Sequence, residues 1–279
     1  MRLRFSKMHG CGNDFIVIDG LTQTVKLSPE RIRQLADRHI GIGCDQLLIV
    51  EAPTDPQMDF HYRIYNNDGN EVEHCGNGAR CFAKFVRDRK LTAKNTINVE
   101  TVNRQLQLQV HGDGSVSVDM GVPSMTLTDI PFITDEDQST TASYTVTVDG
   151  QTLSMSVLSM GNPHAVLVVD DTNSAPVQRL GSLIQQHPQF PDGVNVGFMQ
   201  VLSPSEINLR VLERGAGETL ACGTGACAAV VAGRLRKLLD DTVTVNLLGG
   251  SLSVQWLGAN HSVIKTGPAT TVFHGQVRI

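Results

Sequence analysis

The sequence predicts an α/β fold made of two similar halves, and three observations support this prediction. Short runs rich in β-branched residues are separated by Gly, Asp and Asn, a pattern typical of strands and turns. Only a few segments have helical periodicity. A cysteine-glycine motif occurs twice, 147 residues apart, as from Cys75 to Cys222. A chain of 279 residues is long enough for two halves of about 140 residues each.

Strands are predicted in both halves by alternation or by β-branched enrichment. In chain order they are FSKMHG, DFIVID, QLLIV, FHYRIYN, TINVET, QLQLQV, SVSVDM, SYTVTV, LSMSVLSM, HAVLVV, VNVGFMQV, INLRVL, TVTVNLL, SLSVQWL and HSVIKTG. One helix is predicted to begin at Pro29, with Ser28 as its N-cap. Further helices are predicted over about 78–89, 177–186 and 225–239. The polar, aperiodic segment LTDIPFITDEDQSTTASY is predicted to connect the halves.

Composition and charge exclude several classes of protein. The chain is 41% hydrophobic and 18% charged, which is typical of a globular protein. Its net charge of −5 and its scattered Lys and Arg predict neither a nucleic-acid partner nor a membrane surface. Because no signal-peptide pattern or long apolar span is visible, we expect a cytoplasmic protein. Its cysteines are then expected to be thiols.

The repeat extends beyond the cysteine motif. Residues 63–79 align with residues 210–226 without a gap, and the identical pairs are Arg63/Arg210, Glu71/Glu218, Cys75/Cys222, Gly76/Gly223, Gly78/Gly225 and Ala79/Ala226. A second similarity relates GNDFIVID at 12–19 to GNPHAVLVVD at 161–170, at an offset of 149 residues. Glycine-rich loops do recur in unrelated segments, but two similarities at nearly one offset favour duplication over convergent turn chemistry.

Each copy places a cysteine between a polar loop and a helix. Unpaired N–H groups and the positive end of the helix dipole lower a thiol pKa at this position and favour the thiolate. The flanking glycines let the backbone approach a ligand and present N–H donors to a carboxylate. A buried cysteine that only packs is the alternative. We predict that role for Cys81 and Cys227, which lie further inside the helices.

Two equivalent thiols suit one kind of chemistry. Acyl transfer needs a single nucleophile, and dithiol redox chemistry uses closely spaced cysteines, whereas this chain has no C-x-x-C pair. Racemisation needs an acid and a base on opposite faces of one carbon. With no cofactor motif, the helix N-termini are the available source of stabilisation for the substrate carboxylate. We therefore predict cofactor-independent racemisation or epimerisation by Cys75 and Cys222.

Several motifs resemble those of the diaminopimelate epimerase family. They are MHGCGNDF, RHIGIGCDQLL, FHYRIYNNDGNEVEHCGNGARC, SMGNPHAV, NVGFMQV and ERGAGETLACGTGAC, and the resemblance covers nearly the whole chain. It implies interconversion of LL- and meso-2,6-diaminopimelate for lysine and peptidoglycan synthesis, without pyridoxal phosphate or metal. It also implies a homodimer and two pseudosymmetric domains, each a mixed, barrel-like sheet wrapped around a central helix. The domains would be residues 1–122 and 123–267, with the last strand, about 268–279, returning to the first.

The resemblance also implies roles for individual residues. Cys75 and Cys222 correspond to the paired thiol and thiolate, with Cys75 donating and Cys222 accepting a proton in one direction. His164 and Glu213 correspond to residues that tune the thiols. The residues expected to bind substrate are Asn13, Gln46, Asn66, Gly76, Asn77, Asn162, Asn195, Glu213, Arg214, Gly223 and Thr224.

Physical arguments support some of these roles, and each role has a simpler alternative. A substrate with two amino-acid ends needs recognition of its far carboxylate, for which Arg214 offers a bidentate fork; an ordinary surface charge is the alternative. Asn side chains both donate and accept, but Asn66 lies in a sequence typical of a turn. His164 can take a proton as a thiolate forms, or it is an ordinary strand residue. Glu71 and Glu218 are predicted to be structural acceptors.

Two other functions stay open at the level of sequence. One is a proline-type racemase of the same fold, which acts on a compact substrate and does not need Arg214. The other is a non-catalytic metal-binding module, whose cysteine spacings are unusual for zinc. Its ligands would come from His74, Cys75, Cys81, Cys222 and Cys227.

Three positions depart from the family pattern. Cys11 and Cys44 stand where the family commonly has an apolar residue, beside the expected ligands Asn13 and Gln46, and we assign them no chemistry. Phe273 stands where some members have a dimer-contact tyrosine, which leaves the strength of a homodimer open.

Overall fold

The computed structural model of the chain describes residues 2–72, 75–135 and 143–278. Its strands are β1 (Arg2–Gly10), β2 (Asn13–Asp19), β3 (Gln46–Glu51), β4 (Phe60–Asn66), β5 (Glu71–Val72), β6 (Thr96–Glu100), β7 (Gln105–Val110), β8 (Val116–Asp119), β9 (Tyr144–Val148), β10 (Gln151–Ser159), β11 (Pro163–Val168), β12 (Asn195–Ser203), β13 (Glu206–Glu213), β14 (Gly217–Glu218), β15 (Thr242–Leu247), β16 (Gly250–Gln255), β17 (Ile264–Gly267) and β18 (Thr270–Arg278). Its helices are α1 (Pro29–Ala36), α2 (Gly76–Asp88), α3 (Val177–Gln185) and α4 (Gly223–Leu235), with a 3-10 turn at Leu127–Asp129. Residues 136–142 of the predicted connecting segment lie outside the described residues. The two-residue strands β5 and β14 escape prediction because so short a segment shows no alternation.

The chain divides into two compact units. The first unit runs to Asp119 and resumes at Thr266, and the second spans Met120–Lys265. The domain limits predicted from the sequence, at residue 122 and near residue 268, stay predictions, because compactness alone does not show which segments fold independently.

The sheet of the first unit mixes antiparallel and parallel pairs. β18, β1 and β2 pair antiparallel in that order, and β2 then pairs parallel with β3. β3 and β4 are antiparallel, β4 and β6 are parallel, and β6, β7 and β8 are antiparallel. The register places Gln46 opposite Asn66 at the ends of their strands. Two predicted site residues are therefore neighbours by strand pairing alone.

The second unit repeats this order of pairings. β9, β10 and β11 pair antiparallel, and β11 then pairs parallel with β12. β12 and β13 are antiparallel, β13 and β15 are parallel, and β15 and β16 are antiparallel. The parallel pair sets His164 beside Asn195. The same topology in both units agrees with the duplication inferred from the sequence.

Each unit encloses one helix. α2 packs against β1, β2, β3, β7, β8 and β18, strands drawn from most of its sheet, so the sheet curls around it. α4 likewise packs against β10, β11, β12, β13 and β16. Every residue of α4 from Gly225 to Gly233 is buried, which explains why its sequence is apolar on all sides. The predicted fold class, a mixed sheet wrapped around a central helix in each half, is confirmed.

The ends of the helices follow from their caps. α2 and α4 begin two residues earlier than predicted, because the cysteine of each motif is itself the N-cap. α4 ends at Leu235 and not near residue 239, since Lys237 adopts the left-handed conformation, with φ of +59°, that closes a helix. α1 begins as predicted, and Ser28 Oγ accepts the Arg31 N–H at 3.3 Å. Among the described residues, no helix is long and apolar enough to span a membrane.

The second helix of each unit covers the other face of the sheet. α1 contributes Ile32 and Leu35 to a core that also contains Leu47 and Ile49 of β3. Leu48, between them, points to the opposite face and lies close to α2, as side-chain alternation along a strand requires. α3 has the same role in the second unit, where it packs into a core with aromatic residues of the segments before β9 and β12. Helices therefore pack against both faces of each sheet. This packing holds in place the strand ends that carry the predicted site residues.

Candidate active site

Cys75 is the N-cap of α2. Its backbone is extended, with φ of −143° and ψ of 109°, and its sulfur accepts the Gly78 N–H at 3.4 Å. Only glycine fits at position 78, because a Cβ there would lie 2.3 Å from Tyr62 Oη. The first turn of a helix also presents N–H groups to whatever lies in front of it. Gly76 and Asn77 begin that turn, so the thiol and an anion-binding backbone lie together.

The amide residues predicted in the first unit form two hydrogen-bonded groups. Asn13 Oδ1 lies 3.8 Å from the Cys75 sulfur and accepts Asn77 Nδ2 at 3.3 Å. Gln46 Nε2 donates to Asn66 Oδ1 at 2.8 Å. Among the described residues, Gln46 Oε1 is buried with no hydrogen-bond partner. Buried acceptors are normally satisfied, so this atom is suited to a donor from a ligand.

A charged cluster that sequence reasoning missed orients Asn13. Asp45 Oδ2 accepts Asn13 Nδ2 at 2.8 Å, which directs the Asn13 oxygen toward the thiol. Asp14 binds Lys7 Nζ at 2.5 Å and Arg38 at 2.7 and 3.0 Å, and Arg38 also binds Asp45 at 2.7 Å. Burial by itself would raise the pKa of Asp14, but the hydrogen bonds from Arg38 and Lys7 hold it well below its usual range. These four charged residues, the Asp14 cluster, come from three separate segments, so no spacing in the sequence reveals them.

Cys222 is the N-cap of α4 and has the equivalent geometry. Its φ and ψ are −100° and 107°, and its sulfur accepts the Gly225 N–H at 3.4 Å and lies 3.7 Å from Thr224 Oγ1. The prediction that a helix N-terminus lowers the thiol pKa is wrong here. Burial, and then the Glu213 carboxylate, raise the pKa of Cys222 well above its usual value and outweigh the bonds from Thr224 and Gly225. Cys222 is therefore a thiol at neutral pH.

Glu213 and Arg214 lie at the end of β13, next to this loop. The Glu213 carboxylate accepts Thr219 Oγ1 at 2.5 Å, and it is one of the groups that raise the pKa of the Cys222 thiol. The Arg214 side chain is exposed, and its Nη1 donates to the Asp192 carbonyl at 2.8 Å. Glu213 thus acts electrostatically on the thiol, while the Arg214 side chain extends into solvent.

Asn195 bonds to the backbone through both of its polar atoms. Its Nδ2 donates to the Pro163 carbonyl at 3.1 Å, and its Oδ1 accepts the Arg214 N–H at 2.8 Å. The side chain is buried, with 4% of its surface exposed. The predicted role of Asn195 in substrate binding stays a prediction; in this structure its side chain holds the backbone of Arg214.

Asn162 and His164 form a pair in front of α4. Asn162 Nδ2 donates to Thr224 Oγ1 at 3.4 Å, and Asn162 Oδ1 lies 3.1 Å from His164 Nε2. Burial, and then the charge of Arg214, lower the pKa of His164 to about 3. The imidazole is therefore neutral at neutral pH and a poor proton acceptor. Glu213, whose carboxylate raises the pKa of Cys222, is the stronger candidate for tuning this thiol.

An ion pair is repeated in both copies of the motif. Arg63 binds Glu71 through two hydrogen bonds of 2.7 and 2.9 Å, and Arg210 binds Glu218 through two of 2.6 and 2.9 Å. Each pair joins the strand before its loop to the short strand that leads to the cysteine. The two glutamates are thus structural acceptors, as predicted, and two of the six identities, Arg63/Arg210 and Glu71/Glu218, have a common physical reason.

The other cysteines lie in the interior. Cys81 and Cys227 are completely buried, as predicted for core packing. Burial raises the pKa of Cys81 to about 12 and that of Cys44 to about 12. Cys11 is buried in the turn between β1 and β2, with φ of +55°. His74, a ligand of the alternative metal module, lies outside the described residues, and those residues contain no group of three or more His, Cys, Asp or Glu able to hold a metal.

Solved structures define the class of fold. A phenazine biosynthesis protein of the PhzF family from Bacillus anthracis superposes with a TM-score of 0.70 at 16% identity, covering 100% of both chains. A hydroxyproline epimerase from Agrobacterium vitis superposes with a TM-score of 0.68 at 15% identity, covering 99% of this chain and 92% of that one. By fold, the chain is a two-unit α/β protein of this kind.

Sequence relatives define the family within that class. The diaminopimelate epimerase family model matches residues 5–126 and 156–272. Proteins named diaminopimelate epimerase are 60% identical over 281 residues in Thioalkalivibrio sulfidiphilus and 58% identical over 279 residues in Teredinibacter turnerae, with 100% of each chain covered. The chain belongs to the diaminopimelate epimerase family.

Proposed function

We propose that this chain interconverts LL- and meso-2,6-diaminopimelate, in lysine and peptidoglycan precursor synthesis, with Cys75 and Cys222 as its acid and base. Membership in the diaminopimelate epimerase family supports the reaction class, an amino-acid epimerisation by an isomerase. One observation carries the choice of thiols. In each unit a cysteine caps the enclosed helix and accepts the N–H of the residue three positions later.

The proposed reaction removes one proton and returns one. A thiolate takes the α-proton, so that an S–H bond forms as the C–H bond breaks and the electron pair stays on the substrate, delocalised into its carboxylate. The other thiol delivers its proton to the opposite face of the carbon and becomes a thiolate. The configuration at this carbon is inverted with no net change in protons. The two cysteines exchange roles in the reverse direction.

Backbone groups of the two loops are proposed to stabilise the reacting carboxylate. The first helical residues of α2 are Gly76 and Asn77, and those of α4 are Gly223 and Thr224. N–H groups at a helix N-terminus favour negative charge where it develops. No cofactor is required in this scheme, because the loops supply the stabilisation.

Burial and the Glu213 carboxylate raise the pKa of Cys222, so this group is proposed to enter the reaction as the thiol and to become a base once its proton has passed to the substrate. Glu213 is the residue proposed to tune this thiol. His164 is neutral, and we assign it the role of holding Asn162 against Thr224.

Two polar groups are proposed to bind the far end of the substrate: the exposed guanidinium of Arg214 and the buried Gln46 oxygen that has no hydrogen-bond partner among the described residues. Arg214 presents a guanidinium that can bind a second carboxylate, and Gln46 Oε1 is a buried acceptor suited to a second ammonium group. A compact substrate such as proline has neither group, which favours the two-ended substrate. The further amides proposed to orient the substrate, directly or through Arg214, are Asn13, Asn66, Asn162 and Asn195.

Exchange of the α-hydrogen with solvent tests this proposal. LL-diaminopimelate should incorporate deuterium from D₂O under reducing conditions without added cofactor, and proline should not. Cys75→Ala and Cys222→Ala should each nearly abolish epimerisation, whereas Cys227→Ala, in the same helix as Cys222, should keep it. Ample epimerisation by either of the first two variants would exclude the two-thiol mechanism, and exchange of proline alone would favour the proline-type alternative.

We also propose a homodimer that forms through β18. This strand carries Val272 and Phe273, which are 56% and 46% exposed, and Phe273 packs edge-on against Phe5 at a centroid distance of 5.9 Å. Exposed neighbouring apolar side chains on one strand are typical of an interface. Light scattering should give twice the mass of one chain, and Phe273→Asp should reduce it; a monomeric natural protein would rule the dimer out. A cytoplasmic location is proposed as well, because thiol and thiolate chemistry needs a reducing compartment.

A further inference from the structure

A buried positive charge lies inside the helix that Cys75 caps. Arg80 is on the second turn of α2, and none of its surface is exposed. Its guanidinium donates to four acceptors, none of which is a carboxylate. They are Asn77 Oδ1 at 3.0 Å, the Pro268 carbonyl at 3.1 Å, the Gly76 carbonyl at 3.5 Å and Cys11 Sγ at 4.0 Å.

The partners of this arginine are unusual for a buried cation. Among the described residues, no carboxylate forms an ion pair with Arg80, although other arginines of the unit do have such partners. A buried cation is unfavourable unless an anion or strong dipoles compensate it. The guanidinium therefore favours negative charge nearby, and two of its acceptors belong to the residues that directly follow Cys75.

The fold makes room for this group. Gly10, at the end of β1, lies against the guanidinium, and a Cβ at this position would be 2.9 Å from Arg80 Nη2 and 3.4 Å from the Asn77 carbonyl. The arginine is thus enclosed between the end of β1, the loop before β18 and the first turn of α2. Its position is fixed by the fold and not by contact with solvent.

The second loop has the opposite charge. At the offset of 147 residues, Arg80 corresponds to Cys227, which is neutral and buried. The carboxylate of Glu213 raises the pKa of the Cys222 thiol, whereas the first copy has Asn66 at the equivalent position. The first half-site therefore has a buried cation in the helix that its cysteine caps, and the second has a carboxylate that acts on its thiol.

We propose that Arg80 is a positioning residue whose buried charge makes Cys75 the more readily ionised of the two thiols and whose hydrogen bonds hold the Gly76–Asn77 turn. This inference rests on the proposed function, since the resting enzyme needs one thiolate and one thiol. It assigns the thiolate of the free enzyme to Cys75 and the thiol to Cys222. The duplicated motif supplies two similar groups, and the charges that differ between its copies give them different protonation states.

Other titratable groups around Cys75 do not account for the proposed difference in ionisation between Cys75 and Cys222. The Tyr62 hydroxyl donates to the Cys75 carbonyl at 3.4 Å, and burial raises the pKa of Tyr62 well above its usual value, so this hydroxyl is neutral. Burial also keeps Cys81 protonated by raising its pKa to about 12. The Asp14 cluster behind Asn13 contains two carboxylates and two cations, whose charges balance. The Asn13 oxygen accepts from the Cys75 thiol and therefore favours its protonated form, whereas the charge of Arg80 favours the thiolate.

The test is the pH dependence of alkylation, measured separately for each cysteine. Native protein would be treated with iodoacetamide over a series of pH values, and modification of the Cys75 and Cys222 peptides would be followed by mass spectrometry. In the natural protein, Cys75 should react with a midpoint at lower pH than Cys222. Arg80→Met should raise the Cys75 midpoint by about one pH unit or more, because removal of a nearby opposite charge has this magnitude. Arg80→Lys should keep most of the natural value, and the Cys222 midpoint should not change in either variant.

Several outcomes would overturn the inference. These are a Cys75 midpoint at or above that of Cys222 in the natural protein, an unchanged Cys75 midpoint in a folded Arg80→Met variant, or equal shifts at both cysteines. If Arg80→Met does not fold, the natural protein and Arg80→Lys still decide, because a Lys variant that raises the Cys75 midpoint by a full unit contradicts a role for charge. The deuterium exchange of the natural protein separates the two proposals. If the natural protein exchanges the α-hydrogen but Arg80→Met leaves the Cys75 midpoint unchanged, only this inference is excluded. If Arg80→Met raises the Cys75 midpoint but the natural protein does not exchange the α-hydrogen, only the proposed function is excluded.

Discussion

Replacement of Gly78 by alanine tests how tightly the fold holds the first cysteine loop. A Cβ at this position would lie 2.3 Å from Tyr62 Oη, 3.3 Å from Phe15 Cε1 and 3.4 Å from Leu48 Cδ2. Tyr62 is completely buried, and its ring packs against Phe82 at a centroid distance of 4.8 Å. The hydroxyl cannot move by the roughly 1 Å that an ordinary contact needs without displacing this packing.

The expected loss of stability follows from two opposing effects. Overpacking of a well-packed core destabilises by about 1–3 kcal/mol, and alanine recovers up to about 1 kcal/mol of helix propensity relative to glycine. The net effect is a destabilisation of about 1–2 kcal/mol, which lowers the thermal midpoint by roughly 2–8 °C in a unit of this size. Turnover should fall as well, because the Gly78 N–H is the donor to the Cys75 sulfur.

Thermal unfolding and epimerase turnover would measure both effects. Tyr62→Phe removes the clashing oxygen, so Gly78→Ala should be much less destabilising in that background than in the natural protein. Gly112→Ala is the matched control, since a Cβ there meets no atom within 4 Å. If Gly78→Ala unfolds at the natural temperature, or if Tyr62→Phe gives no relief, the argument from close packing is refuted.

Three further predictions follow from the charges of the two half-sites. Burial and then the Glu213 carboxylate raise the pKa of Cys222, so Glu213→Gln should lower it. Alkylation of Cys222 should become faster at a given pH, while epimerisation slows. An unchanged alkylation profile would contradict the role of Glu213. Asp14 has a folded-state pKa below its unfolded value, owing to Arg38 and Lys7, so it stabilises the fold above that unfolded value and the stabilisation is lost as pH falls. Asp14→Asn should therefore flatten the decline of the thermal midpoint between about pH 5 and pH 2, and an unaltered slope would count against this account. The raised pKa of Cys222 has the opposite sign: its contribution is complete below the ordinary thiol pKa of about 8.5 and is lost at higher pH, so Cys222→Ala should weaken the alkaline decline of the thermal midpoint, and a decline as steep as that of the natural protein would contradict this assignment.

The sequence was sufficient for the architecture because its signals are local. The repeated motif, the alternation of strand residues and the Ser28 cap each depend on residues close together in the chain, and all three correspond to the observed structure. The helix predicted from about residue 225 is likewise observed, as α4. These patterns are dictated by backbone geometry, which acts over a few residues.

The structure decided which amides and charges meet. Asn195, expected as a ligand, uses both of its polar groups on the backbone of neighbouring segments. Asp45, which orients Asn13, was not singled out, because its partner lies 32 residues away and nothing in the local sequence connects them. Strand pairing creates such contacts, and only the complete sheet specifies them.

What the sequence determined by itself is the presence of two cysteines in duplicated loops, each at the start of a helix, and the family to which such loops belong. What only the tertiary structure decided is the different surroundings of those two cysteines. A helix N-terminus favours a thiolate in both copies, yet burial and the Glu213 carboxylate reverse this preference at Cys222, whereas the helix that Cys75 caps contains the buried Arg80, which bonds to Asn77. The physical reason is that a local motif fixes the position of a group, whereas its protonation depends on desolvation and on charges contributed by distant segments.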